Sequence, residues 1–214
     1  MAIKKDYYRI LNIKSSASAG EIKSAYRKLA MKYHPDRNAG DALSAAIFSD
    51  VAEAYNILSD ATLRRQYNEE RHLTAAQEYE RPVETMEKLI QRITEINKRV
   101  ATADPFRFNK DALLYTIKQL FPSDVNLLLD VNQHLLEQFL EKIIISAERL
   151  PSHQTKQLIT LLQPYYKKHE WLQQKLTALI YKQQKEERWE KNKIALAVLI
   201  AVILCIVIFL AAGN

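Results

Sequence analysis

Glycine is almost missing from this chain. Only Gly20, Gly40 and Gly213 occur among 214 residues, so glycine-rich phosphate loops, dinucleotide fingerprints and tight β-hairpins have almost nothing to be built from. Ala, Leu, Ile, Lys, Glu and Gln dominate instead, and these residues favour helix. Hydrophobic residues make up 48%, which is normal for a chain that folds. The expected fold class is all-α. A single cysteine, Cys205, leaves no intramolecular disulfide and no zinc site built on several thiolates. The net charge of +6, from 31 basic and 25 acidic residues, is too small and too dispersed to argue nucleic-acid binding.

Residues 194–212, IALAVLIAVILCIVIFLAA, form a stretch of nineteen residues with no charge, proline or amide. As a helix it is roughly 28 Å long, close to the hydrocarbon thickness of a bilayer. A buried core helix is the bland alternative, but it rarely lacks polar positions over about five turns. Lys191 and Lys193 sit just before the stretch, Lys182, Lys185 and Arg188 lie upstream, and Trp189 falls where a ring would meet the headgroups. The positive-inside rule then places 1–193 on the cytosolic side. MAIKKDYYRI lacks the apolar core of a cleavable signal. The expectation is a tail-anchored, single-pass protein with a cytosolic body. The compact chain leans to a bacterial inner membrane, with the cytosolic face of a eukaryotic organelle left open.

The N-terminal third is well punctuated. A short helix is expected over 6–11, with Tyr7, Ile10 and Leu11 on one side. Ser18 opens Ser-Ala-Gly-Glu, which fits a capping box with Glu21 reaching back. From there to about Tyr33 the pattern is helical, and Ile22, Tyr26, Leu29 and Tyr33 share one face. Lys23, Arg27, Lys28 and Lys32 occupy the opposite half. Pro35 forces His34 out of α geometry and ends the helix. A helix over about 42–58 follows, with Ile47, Phe48, Val51, Ala54, Tyr55 and Leu58 in one stripe. Between Asp41 and Asp60 there are four acids and no base. A short helix over 61–68 carries Leu63, Arg64, Arg65 and Tyr67.

Beyond residue 70 the helical pattern continues. Pro82 starts a helix with a stripe of Val83, Met86, Leu89/Ile90, Ile93, Ile96 and Val100, and Asp104-Pro105 breaks it. Later helices are expected over about 110–120, 124–150, 152–162 and from 165 onward, separated by Pro122, Pro151 and Pro164, with the last able to run into the membrane stretch. Residues 83–180 are expected to pack into a small bundle of their own. The domain scheme is 1–70, a helical region 71–190 of unassigned role, and a transmembrane anchor 191–214.

Residues 6–68 resemble the J domain of the DnaJ family. Asp6-Tyr7-Tyr8-Arg9-Ile10-Leu11 matches its opening helix, and Ala25-Tyr26-Arg27-Lys28-Leu29-Ala30 followed by Tyr33-His34-Pro35-Asp36 matches its second helix and signature loop. Phe48, Glu53-Ala54-Tyr55 and Leu58-Ser59-Asp60 match the third helix. Arg64-Arg65-Gln66-Tyr67-Asn68 resembles the closing basic helix, with Asn68 where the family usually has an acid. The resemblance covers about 30% of the chain. It implies a four-helix domain that binds a DnaK-type ATPase chaperone and accelerates its ATP hydrolysis. Lys23, Arg27, Lys28 and Lys32 would steer the encounter with an acidic lobe. His34 would orient the loop, Pro35 would hold the turn, Asp36 would pair with a basic group of the chaperone, and Arg37 would add a contact.

With three glycines and one cysteine, neither the glycine/phenylalanine linker nor the cysteine zinc region of larger relatives can be built here, so the minimal type is expected. Trp189, Lys191 and Lys193 are the expected membrane-interface residues. His72, His134, His153 and His169 lack metal-site spacing and read as surface or packed histidines. No cofactor, metal site or enzymatic motif is expected. The leading function is a membrane-tethered co-chaperone that acts on another protein's ATPase, with a client or membrane partner met through 71–190. The alternative is a membrane-anchored helical scaffold using its J domain only for docking. An enzyme with a pocket in 83–180 is a third class.

Overall fold

The computed structural model describes residues 5–77, 86–104, 108–121, 132–166 and 169–212; the side chains of 72–77, 166, 194, 195 and 206–212 are outside that description. The described residues contain helices and no strand. By its contacts the chain divides into two compact units, Met1–Leu150 and Pro151–Asn214. The sequence places boundaries at 70 and 190 instead.

In the first unit, α1 (Tyr7–Ile10) starts at Asp6, whose carboxylate accepts from the Arg9 amide at 3.1 Å. α2 (Ala19–Lys32) has the expected capping box: Ser18 accepts from the Glu21 amide, and Glu21 accepts from the Ser18 amide at 2.7 Å. These bonds hold the Glu21 carboxyl below the usual carboxylate range. Gly40, at φ 85, makes the left-handed turn before α3 (Ala42–Ser59), a backbone that disfavours other residues. Asp41 caps α3 through the Ser44 amide. α4 (Ala61–Gln77) runs beyond the expected 61–68.

Ile22, Ile47, Val51, Ala54 and Leu58 form the α2–α3 core, each at most 4% exposed. Tyr26 and Tyr55, on the same two stripes, are half-buried and stack on each other at 4.1 Å. On α1 it is Tyr8 that is buried, whereas Tyr7 is half-buried. Four residues make barely one turn, so both neighbouring tyrosines reach the Tyr67 ring, at 4.8 and 5.9 Å. The Tyr8 hydroxyl donates to Asn68 Oδ1 at 2.8 Å, giving that residue a structural bond.

The remaining helices of this unit are α5 (Met86–Thr102), α6 (Lys110–Leu120) and α7 (Gln133–Ala147). The α5 stripe of Met86, Leu89, Ile93, Ile96 and Val100 is buried as expected, and α5 packs chiefly on α7. Pro82, Val83, Pro105, Pro122 and 124–131 lie outside the described residues. Of the described helices over 83–180, those up to 147 share a unit with the N-terminal helices, and those from 152 belong to the other unit. α6 buries Ala112, Leu113, Leu114, Ile117 and Leu120 and touches both α3 and α5, so it joins the helical layer to the N-terminal helices.

In the second unit, α8 (Ser152–Tyr166) packs on α9 (Glu170–Ala212). Pro164 lies inside α8 where a break was expected. It supplies no N–H to the Thr160 carbonyl one turn back, so α8 carries it at the cost of one backbone bond. Glu187 on α9 accepts from the Ser152 amide at 2.9 Å and from its hydroxyl at 2.7 Å. Those bonds hold the Glu187 carboxyl below the usual range, so the carboxylate form favours the fold. That stabilisation is complete above glutamate's ordinary value and is lost as pH falls through the lowered one. Acidification is expected to loosen the α8–α9 pairing of the wild type more than that of Glu187→Gln, as read by thermal melts along a descending pH series.

The expected span over 194–212 is not shown: among the described residues no helix is long and apolar enough to cross a membrane. The side chains of 194, 195 and 206–212 fall outside those described, while α9 itself continues to Ala212. Trp189, Lys191 and Lys193 are exposed on α9, with Lys193 Nζ 3.6 Å from Glu190.

Candidate functional site

α2 exposes Lys23, Arg27 and Lys28 along one half of its surface, because Ile22, Tyr26, Leu29 and Tyr33 turn the other half toward the core. The acids of α3 do not cancel this charge, since Asp50 and Glu53 are drawn to Lys5, at 2.7 and 2.6 Å. Those hydrogen bonds push the Lys5 pKa up and the Glu53 pKa down. Lys32, the fourth base, forms an ion pair with Asp111 of α6 at 3.0 Å.

The loop after α2 is built around its own backbone. The amides of Arg37 and Asn38 both donate to the His34 carbonyl at 3.1 Å, closing a turn that Pro35 pre-sets. The Asn38 amide group donates to the carbonyls of Lys32 and His34, at 2.9 and 3.0 Å. Arg37, expected to offer a contact outward, lies at the surface with its guanidinium 3.4 Å from the Met31 carbonyl. His34 Nδ1 accepts from the Asp36 amide at 3.2 Å, so the neutral ring carries its proton on Nε2. The ring also meets Phe48 edge-on, at 5.7 Å and 83°. His34 therefore ties the loop to α3 and holds the Asp36 backbone. The Asp36 side chain is left 90% exposed, its carboxylate 3.6 Å from His34 Nδ1.

Several residues that sequence reasoning passed over hold this site from behind. Asn109 caps α6 through the Ala112 amide and donates its own amide to Asn38 Oδ1 at 2.6 Å. The Tyr115 hydroxyl donates to the Ile10 carbonyl at 2.6 Å, and its ring lies 5.7 Å from Tyr33. Burial pushes the Tyr115 hydroxyl up to about 12. Arg9 donates to the carbonyls of Lys118, Gln119 and Phe121, capping the end of α6. Nothing in the local pattern signals these contacts, since Asn38 and Asn109 are 71 residues apart. Lys23, Arg27, Lys28, Lys32 and the loop 34–37 lie along α2 and its end, whereas Trp189, Lys191 and Lys193 belong to the other unit. Of the histidines, His134 and His153 are exposed, His169 is packed against Trp171, and the His72 side chain lies outside the described residues. Among the described residues no group of three or more His, Cys, Asp or Glu could hold a metal.

A basic helix ending in a proline turn with a projecting carboxylate, braced by an acidic third helix, is matched over residues 6–68 by the family model for the DnaJ domain. Residues 6–68 form a DnaJ domain. The chain is similar there to the Chaperone protein DnaJ of Clostridioides difficile (strain 630), 54% identical over 72 residues, which cover 34% of this chain and 19% of that protein. The Chaperone protein DnaJ of Francisella tularensis is 56% identical over 69 residues, 32% of this chain and 19% of that one. That of Chlamydia pneumoniae is 59% identical over 63 residues, 29% of this chain and 16% of that one. The chain thus spans less than a fifth of the length of these relatives, and the likeness stops at the J domain.

Proposed function

We propose that this protein is a membrane-tethered J-domain co-chaperone that recruits a DnaK-type chaperone and stimulates its ATP hydrolysis, with no catalysis of its own. One observation carries the reading: Asp36 projects 90% exposed from a loop held by His34 and Asn38, at the end of the exposed bases Lys23, Arg27 and Lys28. A carboxylate serving only the fold would be turned inward or bonded. Here the neighbours are bonded and the carboxylate is left to a partner. The segregated bases suit an acidic surface, which raises the rate of encounter and makes it salt-sensitive.

The tether is supported by α9. Leu196, Val198, Leu199, Val202 and Ile203 are 46–58% exposed on a helix that is uncharged from 196 to 212. Contiguous exposed apolar surface of this kind marks a membrane or protein contact. Lys191 and Lys193 before it favour a cytosolic body, in our reading at a bacterial inner membrane. Confinement to the surface would raise the local concentration of the J domain near membrane clients. Within these 214 residues the scarcity of glycine and cysteine fits the minimal type.

The test is single-turnover ATP hydrolysis by a DnaK-type chaperone with the full chain in liposomes. Stimulation that falls with salt and is lost in His34→Gln is expected. Binding without stimulation would replace the activator with the docking scaffold.

A further inference from the structure

Three of the four bases on α2 differ from the fourth. Lys23, Arg27 and Lys28 carry no ion pair among the described residues, whereas Lys32 meets Asp111 at 3.0 Å with both side chains a little under half exposed. The pair is favoured by its setting. Lys32 is in the last turn of α2 and Asp111 in the first turn of α6, so each charge also complements its own helix dipole. Asn109, one residue before α6, is bonded to Asn38 of the loop, which keeps the carboxylate at this end of α2. The basic stripe is therefore neutralised from within at the end nearest Asp36.

We propose that Asp111 is an intramolecular competitor for the acidic partner of α2: docking must take Lys32 from Asp111, so α6 sets how tightly the J domain engages. This rests on the co-chaperone reading above. A half-exposed pair is weak enough to be exchanged, so Asp111 tunes the affinity without closing the site, and Asp36 stays open beside it. The helical layer then acts on the J domain through α6, in addition to anything it binds itself.

The experiment measures ATP hydrolysis by the DnaK-type chaperone against increasing full chain, for wild type, Asp111→Asn and Glu87→Gln. Glu87 is an exposed first-turn acid of α5 with no ion pair to Lys32 among the described residues, so its variant makes the same charge change without touching that pair. Asp111→Asn is expected to lower the half-saturating concentration about two- to five-fold, with the maximal rate unchanged and the gain shrinking as salt rises. Glu87→Gln should leave half-saturation at the wild-type value. An unchanged or raised half-saturation in Asp111→Asn overturns the proposal. So does an equal gain in Glu87→Gln, which would reflect net charge alone, or a reduced maximal rate, which would make Asp111 a brace for the loop. If the wild-type chain itself gives no stimulation, the co-chaperone reading falls and this one with it.

Discussion

Asp36→Asn is expected to abolish stimulation of the chaperone while leaving the J domain as stable as the wild type. The two halves of this expectation come from different facts. The Asp36 side chain is 90% exposed, and the contact that fixes the loop, from its amide to His34 Nδ1, is made by its backbone. Asparagine keeps that backbone and the side-chain size, so the stability change should stay within about 0.5 kcal/mol. Across an interface, removing one partner of a buried charge pair costs roughly 2–5 kcal/mol, a thirtyfold loss or more. A thermal melt and a stimulation assay on the same preparation check both halves. A variant that melts early would make Asp36 a structural residue. One that melts normally and still stimulates would move the contact to the basic stripe alone.

Phe139→Ala should have the largest effect on stability. Phe139 is 0% exposed on α7, and its ring meets Phe121 edge-on at 5.5 Å and 62°. Leu140 and Ile143 beside it are also 0% exposed, on the helix that packs most extensively against α5. Phe to Ala at such a site costs about 3–5 kcal/mol, because the transfer energy of the ring is lost and a cavity remains. Set against a typical total of about 5–15 kcal/mol, that is a large share, and it corresponds to a fall in Tm of roughly 6–20 °C. Denaturant melts of the full chain in detergent check it. A loss below about 1 kcal/mol would mean that the α5–α7 layer is not closed around this ring. Phe121 also gives its carbonyl to Arg9, so the same variant is expected to loosen the end of α6 that Arg9 caps.

The sequence by itself determined what is local. Ser18 and Glu21 announce the start of α2, Pro35 its end, and the stripes of α2, α3 and α5 the faces that are buried, because caps and helical periodicity are properties of neighbouring residues. The chemistry of the loop was equally legible, since His34, Pro35 and Asp36 are consecutive and the bases precede them within one helix. What periodicity cannot say is which face meets which. α6 has apolar residues wide enough to touch two neighbours, and its pattern alone does not name them. Only the tertiary structure decided that α6 lies between α3 and α5, that Asn109 holds Asn38 and that Asp111 takes Lys32 from the basic stripe. The two polar contacts join residues 71 and 79 positions apart, and they exist because closing the chain buried Leu113 and Ile117 completely and carried the first turn of α6 to the end of α2.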